Sequence, residues 1–247
     1  MKSVLKCNEN YKDKFKASRC LLTISVGQEA HEGEKFLSTI KTVNNSFLSC
    51  ILLVDDSLQR HTMALDSKQD ADDFYEFSLK CGDEWLERNS ESLRELTILE
   101  NIIRWDKWLT HKNYIEQHKN IEKLLSTDAE YKKSFEEAIE VFLNRYHSRL
   151  KNSSVFDFKR AHRLCLDYLI EECTSLCLWP ELECHFEVYP GQRNSAMRDT
   201  HKKFVLDVYP SLLHAVYIKF KGRHQFKPQC LKLNTMDIDH RQQASKF

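Results

Sequence analysis

Two stretches decide the fold: CLLTIS at Cys20–Ser25 and FLSCILLVD at Phe47–Asp55. Both are short, apolar and rich in residues that favour β-structure, as buried strands are. Between them, Phe36, Ile40 and Val43 recur at helical spacing. A strand, a helix and a second strand in this order predict a βαβ unit, because near-continuous apolar strands belong to parallel sheets that helices cover.

The remaining sequence extends this pattern. CHFEVY at Cys184–Tyr189 and HAVYIKF at His214–Phe220 predict two more strands. From Asp70 to Arg149 there is no proline and only one glycine, Gly82. Two or three long helices are therefore expected there, with apolar positions that include Leu93, Leu96, Leu99, Ile103 and Trp108.

A further helix is expected at about 156–173, ahead of the third predicted strand. Together these elements predict an α/β fold, with a central and mainly parallel sheet flanked by helices. The length of 247 residues suits a single domain over 1–247. Residues 1–18 and 228–247 are expected to be peripheral or partly disordered.

Composition and charge limit the possible partners. Lys+Arg and Asp+Glu both number 37, so nucleic-acid binding would need a local basic patch. Nine cysteines, an odd number in a long chain without an apolar leader, favour reduced thiols and a cytoplasmic location. The longest apolar run, Ile51–Val54, is far too short to span a membrane, so no membrane association is expected.

Several common ligand motifs are absent from the sequence. There is no GxGxxG after the first predicted strand and no GxxxxGK[ST], so neither a dinucleotide nor a P-loop cofactor is expected. Cys173 and Cys177 form no CxxC pair and are more typical of core filling than of zinc binding. There is also no GxSxG elbow, which argues against a conventional α/β-hydrolase. We expect no cofactor and no metal.

Ser25 is the first candidate for chemistry. It ends the first predicted strand, at the carboxyl edge where open parallel sheets bind ligands. Amides at the start of the next helix could then stabilise an oxyanion formed when the hydroxyl attacks an ester. The alternative, which position alone favours, is that Ser25 only caps that helix.

Tyr168, Glu172 and Tyr189 are further candidates. Tyr168 and Glu172 are four residues apart in a predicted helix and share a face, whereas Glu171 is turned away. A phenol and a carboxylate together suit the binding and deprotonation of an ammonium group. Tyr189 ends a predicted strand, where its phenol could relay protons. The alternatives are aromatic residues at the core boundary and an ordinary surface carboxylate.

An ordered set of segments resembles the tRNA-dependent cyclodipeptide synthases. In chain order the segments are CLLTISVGQ, LLVDDSLQRH, GDEWLERN, IIRWDKWL, DYLIEE and VYPG, and the resemblance spans Cys20 to about Lys219. It implies a single catalytic domain with a Rossmann-like sheet, similar to the catalytic domain of class I tyrosyl- and tryptophanyl-tRNA synthetases. It also implies two aminoacyl-tRNAs as substrates, with a cyclic dipeptide as product.

The resemblance implies roles for the candidate residues. Ser25 matches the family's catalytic serine, Tyr168 and Glu172 match the pair that holds the ammonium group and moves its proton, and Tyr189 matches a tyrosine near the nucleophile. The implied reaction is a ping-pong course. Ser25 accepts one aminoacyl group, the amine of the second charged tRNA attacks it, and a dipeptidyl ester on Ser25 cyclises.

The family divides into two branches, and the residues here match the second. One branch has Asn three residues after the serine and Tyr-His after the third strand, whereas the other has a variable residue and Tyr-Pro. Gln28 and the pair Tyr189-Pro190 fit the latter. Thr23 replaces the glycine commonly found two residues before the serine. The residues expected to bind the substrate are Thr23, Gln28, Ser175 and Pro190.

The family binds tRNA through a helix after the second strand, and four basic residues are placed there: Arg94, Arg104, Lys107 and Lys112. Phosphate contacts are expected from the last three. Two other functions stay open from the residues. A non-catalytic, synthetase-like module would bind tRNA without forming product, and a serine esterase would act on simple esters without tRNA. The sequence does not indicate an oligomeric state.

Overall fold

The computed structural model describes residues 1–149 and 157–221, and six strands of these ranges form one sheet. In chain order the strands are β1 (Lys2–Lys6), β2 (Arg19–Ser25), β3 (Ser49–Asp55), β4 (Leu99–Arg104), β5 (Phe186–Tyr189) and β6 (His214–Lys221). Across the sheet the order is β1-β6-β5-β2-β3-β4. β1 is antiparallel to β6, and the other four pairings are parallel.

Helices connect and cover the strands. The α-helices are α1 (Gly33–Asn44), α2 (Arg60–Met63), α3 (Tyr75–Arg88), α4 (Ser90–Arg94), α5 (Asp106–Leu109), α6 (Tyr114–Thr127), α7 (Ala129–Arg149), α8 (Phe158–Leu176) and α9 (Ser195–Thr200). A π-helical segment, His201–Leu206, follows α9 directly. The 3-10 segments are Glu9–Ala17, Glu29–His31, Ser57–Gln59, Ala64–Asp66, Ala71–Phe74 and Trp179–Leu182.

The sheet lies between two hydrophobic layers. Alternate residues of β2 point to opposite faces, so Leu21 packs in a cluster with Leu169 of α8, and Leu22 packs in a cluster with Phe36 of α1. Because both faces are covered, the central strands can be apolar at nearly every position. The mainly parallel α/β sheet predicted from the sequence is therefore confirmed.

The predicted strands are confirmed with small shifts at their ends, and the helix expected at about 156–173 is α8. The prediction for 99–104 was wrong, because this segment is the edge strand β4 rather than part of a helix. Asn101 and Ile102 are exposed, whereas Ile103 is buried. Because this edge strand has few buried positions, its apolar residues do not alternate with the two-residue period that marks a strand. β1 was not predicted either. The predicted peripheral segment 228–247 lies outside the described residues.

The sheet has a topological switch point between β2 and β5. From β2 the chain builds outward through β3 and β4, and it then returns to the other side of β2 to form β5 and β6. Open parallel sheets bind ligands at the carboxyl ends of the strands that flank such a point. Ser25 and Tyr189 are the last residues of β2 and β5. Within the described ranges, no helix is long and apolar enough to span a membrane.

Candidate active site

Ser25 lies at the centre of a cluster of polar side chains. It is buried, its Oγ donates to Asp55 Oδ2 at 3.3 Å, and the same Oγ lies 3.2 Å from the Tyr189 hydroxyl. Asp55 is the last residue of β3 and the register partner of Ser25. Three adjacent strand ends therefore bring a hydroxyl, a carboxyl and a phenol into direct contact.

Two roles for Ser25 beside the next helix follow from the sequence, as a nucleophile near the first helical amides or as the helix cap, and both need correction. Helix α1 begins at Gly33, eight residues later, and Glu32 occupies its N-cap position. Ser25 therefore does not cap this helix, and the first amides of α1 do not follow it directly. Gly27 explains the difference, because its φ of +86° turns the chain just after the strand, where Gln28 N–H donates to Ser25 O at 3.2 Å.

His31 holds the backbone of Ser25. The Ser25 N–H donates to His31 Nδ1 at 2.9 Å, and Trp85 Nε1 donates to the His31 carbonyl at 3.1 Å. Burial lowers the pKa of His31 to about 4, so the imidazole is neutral near pH 7. Its ring also packs edge-on against Tyr189, with centroids 5.4 Å apart. His31 thus connects the serine backbone to the tyrosine ring.

Tyr168 and Glu172 face the same site from α8. The Tyr168 hydroxyl donates to Glu172 Oε1 at 3.4 Å, and Asn194 Nδ2 donates to Glu172 Oε2 at 3.2 Å. Burial raises the pKa of Glu172 to about 7, against the hydrogen bonds from Asn194 and Tyr168. Glu172 is half-buried and hydrogen-bonded on both oxygens, so it is not an ordinary surface carboxylate.

The two carboxyl groups of this site influence each other. Burial raises the pKa of Asp55 well above its ordinary value, and Glu172 adds the next largest contribution. Burial likewise raises the pKa of Tyr189 to about 12, so its phenol stays protonated and can donate. The site therefore combines proton donors with two carboxyls that hold their protons more tightly than exposed ones do.

Glu171 is bound in a separate buried cluster. Arg60 donates to it through two nitrogens, at 2.8 and 2.5 Å, and Trp105 Nε1 donates at 2.8 Å. His61 Nε2 lies 3.2 Å from Oε2. Burial opposes ionisation, but the bonds from His61 and Arg60 outweigh it and hold the pKa of Glu171 at about 2. This cluster anchors α8 to the segment after β3, while Glu172 is left to face Ser25.

The residues predicted to bind substrate occupy different environments. Thr23 is buried two positions before Ser25, on the same face of β2, and Ser175 is buried one helical turn after Glu172. The hydroxyls of Thr23 and Ser175 have no hydrogen-bond partner among the described residues. Gln28 is exposed and Pro190 is half-buried. Their roles in substrate binding stay predictions.

The predicted tRNA-binding residues do not lie on one helix, and that placement was wrong. Arg94 ends α4, Arg104 ends β4, Lys107 lies in α5 and Lys112 follows α5. Three of them, Arg94, Lys107 and Lys112, are exposed. The physical reason is the strand β4, which separates α4 from α5.

Arg104 is engaged within the protein. Its Nε pairs with the buried Asp56, its NH1 pairs with Asp83 at 2.6 Å, and its NH2 donates to Leu79 O at 2.8 Å. Gly82 permits this arrangement, because a Cβ there would overlap both Asp56 and the Arg104 guanidinium. Arg104 therefore fixes α3 to the end of β3, and a phosphate would have to compete with two carboxylates for it.

Sequence reasoning missed three residues of the site. Asp55 follows an apolar run directly, so the argument that selected Ser25 could also have found it. Asn194 has the residue type of an N-cap, and its Oδ1 caps α9 at Met197 N, but nothing local predicts its contact with Glu172. His31 carries no sequence signal. No group of three or more potential metal ligands occurs in residues 1–149 and 157–221.

An open groove of about 880 Å³ lies at the opposite, amino edge of the sheet. Its lining includes Arg19 at the start of β2, Ser49 at the start of β3 and His185 just before β5. It shares no residue with the cluster around Ser25. The chemistry-bearing side chains therefore lie at the carboxyl edge, away from this groove.

Comparison with solved structures identifies the chain's relatives. A CDPS from Fluoribacter dumoffii is 42% identical, with a TM-score of 0.84, over 90% of this chain and 99% of that one. A cyclodipeptide synthase from Candidatus Glomeribacter gigasporarum bound to Phe-tRNAPhe is 16% identical, with a TM-score of 0.69, over 91% and 96%. No protein-family model and no curated protein matches the chain.

A third match has the same fold. A Mycobacterium tuberculosis protein, described as demonstrating that cyclodipeptide synthetases are related to type I tRNA synthetases, is 12% identical with a TM-score of 0.61, over 89% and 94%. The fold and the matches together define an enzyme, a tRNA-dependent aminoacyltransferase of Rossmann-like architecture. The chain belongs to the cyclodipeptide synthase family, which the 42% identity over nearly the full length of both chains establishes.

Proposed function

We propose that the protein joins two aminoacyl groups, each delivered on a tRNA, into a cyclic dipeptide through an aminoacyl ester on Ser25. The observation that carries this proposal is the convergence of four side chains selected from the sequence. Ser25 Oγ lies 3.2 Å from the Tyr189 hydroxyl, and Tyr168 donates to Glu172 at the same edge of the sheet. This arrangement supports Ser25 as the nucleophile and Tyr168 with Glu172 as the pair that binds the ammonium group.

In the first step, Ser25 Oγ attacks the ester carbonyl of one aminoacyl-tRNA. The new Oγ–C bond replaces the bond to the ribose oxygen, and the tRNA leaves with a free hydroxyl. The Tyr189 phenol, which holds its proton, can donate to an oxygen of the reacting ester. Glu172 and Tyr168 accept the substrate's ammonium group, and this contact fixes the carbonyl relative to Ser25.

Atom balance changes one step of the course expected from the family resemblance. If the amine of the second aminoacyl-tRNA attacked the Ser25 ester, the dipeptide would end on that tRNA and Ser25 would be free. A dipeptidyl ester on Ser25 requires the opposite direction, in which the amine bound at Ser25 attacks the ester of the second tRNA. The terminal amine then attacks the Ser25 ester, which closes the ring and releases the serine.

This order gives Glu172 a defined task. The amine on Ser25 must lose a proton before it can attack, and Glu172 is the carboxyl that the ammonium group would contact. A pKa near 7 suits a general base that works near neutral pH. Asn194 orients the carboxylate, because its own amide is fixed by the N-cap bond of α9.

The branch assignment rests on three residues. Gln28 at the variable position and the pair Tyr189-Pro190 support the branch with Tyr-Pro. Thr23, two residues before the nucleophile, lies on the Ser25 face and is proposed to narrow the pocket for the first aminoacyl side chain. Residues 1–247 are proposed to act as one catalytic domain, in the cytoplasm, where charged tRNAs occur.

The substrates are proposed to be aminoacyl-tRNAs. A structural neighbour is described as bound to Phe-tRNAPhe, which supports this substrate class. Arg94, Lys107 and Lys112 are exposed and are proposed to contact tRNA phosphates, whereas Arg104 is held by Asp56 and Asp83. The amino acids that are joined are not specified by these contacts.

The decisive experiment incubates the purified protein with aminoacyl-tRNA labelled in the amino acid, followed by peptide mass spectrometry. Label at Ser25 and a cyclic dipeptide after addition of a second charged tRNA are expected. Ser25→Ala should abolish both. Ser57→Ala is the matched control, because Ser57 is a buried serine just beyond β3 whose hydroxyl has no hydrogen-bond partner among the described residues.

Two outcomes would support a different function instead. Binding of tRNA with neither label nor product would indicate a non-catalytic tRNA-binding module. Turnover of simple acyl esters without any tRNA would indicate a serine esterase.

A further inference from the structure

Asp55 has a position that the family resemblance did not assign. It pairs in register with Ser25 across β2 and β3, and its Oδ2 accepts the Ser25 hydroxyl at 3.3 Å. It is buried, and its Oδ1 has no hydrogen-bond partner among the described residues. One carboxyl oxygen therefore accepts the hydrogen bond of the nucleophile's hydroxyl, while the other can receive a second group.

The surroundings of Asp55 argue against a purely structural role. The charged neighbours that act on it are carboxyls: Glu172 from α8, Asp56 from the same segment and Glu187 from β5. The arginines near these carboxyls are paired elsewhere, Arg104 with Asp56 and Arg193 with Glu187. A buried carboxyl without a cationic partner costs stability, so the fold gains nothing evident from it.

Other groups in the site are less suited to take the proton from Ser25. His31 contacts the serine through its backbone N–H rather than through Oγ. The Tyr189 phenol holds its own proton, and Glu172 is bound to Tyr168 and Asn194. Among the described residues, Asp55 is the carboxyl in hydrogen-bond contact with the reacting oxygen.

We propose that Asp55 is the catalytic base of the acylation step and relays the Ser25 proton to the departing tRNA. This inference rests on the proposed function. As Oγ bonds to the ester carbon, its proton passes to Asp55 Oδ2. As the bond from carbon to the ribose oxygen breaks, the carboxyl returns a proton to that oxygen. Asp55 ends the step as it began, and the leaving tRNA carries the proton that Ser25 lost.

The test measures acylation in a single turnover, with excess enzyme over labelled aminoacyl-tRNA. Asp55→Asn keeps the shape and an oxygen acceptor for Ser25 but cannot take the proton. Its acylation rate constant should fall by about 100-fold or more, which is the range of general base catalysis. The affinity for tRNA and the melting temperature should remain close to those of the unaltered protein.

Asp56→Asn is the matched control. This neighbouring aspartate is also buried, but it binds Arg104 and the Trp105 N–H rather than Ser25. It should lower the melting temperature, and because its carboxyl does not contact Ser25, it should change the acylation rate of the folded protein far less than Asp55→Asn does. Asp55→Ala provides a second, independent test, because added formate should restore part of the lost rate if a carboxylate is all that is missing.

Two results would overturn the inference. One is acylation by Asp55→Asn within about threefold of the unaltered rate. The other is failure of formate to raise the rate of folded Asp55→Ala. Both differ from a failure of the proposed function, in which the unaltered protein would acquire no label at Ser25.

Discussion

Ser25 Oγ and the Tyr189 hydroxyl lie 3.2 Å apart, although 164 positions separate the two residues in the chain. Their contact follows from the pairing of β2 with β5, which places both at one edge of the sheet. Tyr189→Phe removes the hydroxyl and keeps the ring that packs on His31. Loss of one hydrogen bond of about 1 kcal/mol predicts a roughly five- to tenfold slower acylation, measured in a single turnover. An unchanged rate would exclude the phenol from this step.

Glu172→Gln should separate formation of the cyclic dipeptide from acylation of Ser25. The amide cannot accept the proton of the amine, so cyclic dipeptide formation should fall by about 100-fold, while labelled Ser25 accumulates. In the unaltered protein, product formation should rise with pH as Glu172 ionises around pH 7. This rise should be absent in the variant. A pH profile that is the same for both proteins would contradict the assignment.

The raised pKa of Glu172 also leads to a prediction about the stability of the fold. The pKa of Glu172 is higher in the folded protein than its ordinary value of 4.5, so protonation favours the fold. This contribution is fully present below about pH 4.5 and is lost as pH rises through 7. Between pH 5 and pH 8, the free energy of unfolding of the unaltered protein should therefore fall relative to that of Glu172→Gln, as measured by urea unfolding.

Glu171→Gln should act on the fold rather than on the chemistry. It leaves the buried Arg60 without its carboxylate, and breaking a buried ion pair in this way costs about 3–5 kcal/mol. A fall in melting temperature of roughly 10 °C is expected for a chain of this size. Glu172→Gln, one position along the same helix, is the matched control and should have the opposite profile, with no comparable fall in melting temperature and a large loss of product.

Asn194→Asp tests the orientation of Glu172. The new carboxylate can still cap α9 through Oδ1, but it repels Glu172 instead of donating to it. The pKa of Glu172 should rise further, so the pH at which product formation increases should move upward. Asn194→Ala loses the cap as well and should also melt at a lower temperature. An unmoved pH profile in Asn194→Asp would show that this contact has no effect on catalysis.

Charge reversal of Arg94, Lys107 and Lys112 tests the proposed tRNA surface. If each contacts one phosphate, the triple variant should bind tRNA more weakly, and the slope of log affinity against log salt should decrease by roughly two to three. Reversal of three exposed lysines on other helices, Lys41, Lys132 and Lys133, is the control. Equal effects of both triple variants would indicate a response to net charge alone.

The central part of the fold and four site residues could be predicted because their signals are local. Apolar runs mark β2 and β3, strand ends place Ser25 and Tyr189 at one edge, and four-residue spacing puts Tyr168 and Glu172 on one helical face. Residues that act through register or tertiary contact could not be predicted in this way. The contact of Asp55 with Ser25, for example, depends on the register in which β2 pairs with β3.

The basic residues show why local reasoning failed elsewhere. Arg94 and Lys107 appeared to share a helix, because the edge strand β4 between α4 and α5 has few buried positions to show a two-residue period. Arg104 was expected to contact phosphate, but its partners Asp56 and Asp83 lie 48 and 21 positions away in the sequence, where no local pattern indicates them. Ion pairs of this kind depend on the assembled tertiary structure.

The antiparallel strand β1 shields the outer side of β6. Without Lys2–Lys6, the eight-residue strand His214–Lys221 would present a row of unpaired amide and carbonyl groups. Such an open edge recruits strands from other molecules. Strand β1 instead ends this side of the sheet with five residues that carry a lysine at each end. Deletion of this short segment is therefore expected to cause self-association into fibrillar or strand-exchanged assemblies, even though it lies far from Ser25 in the order of strands.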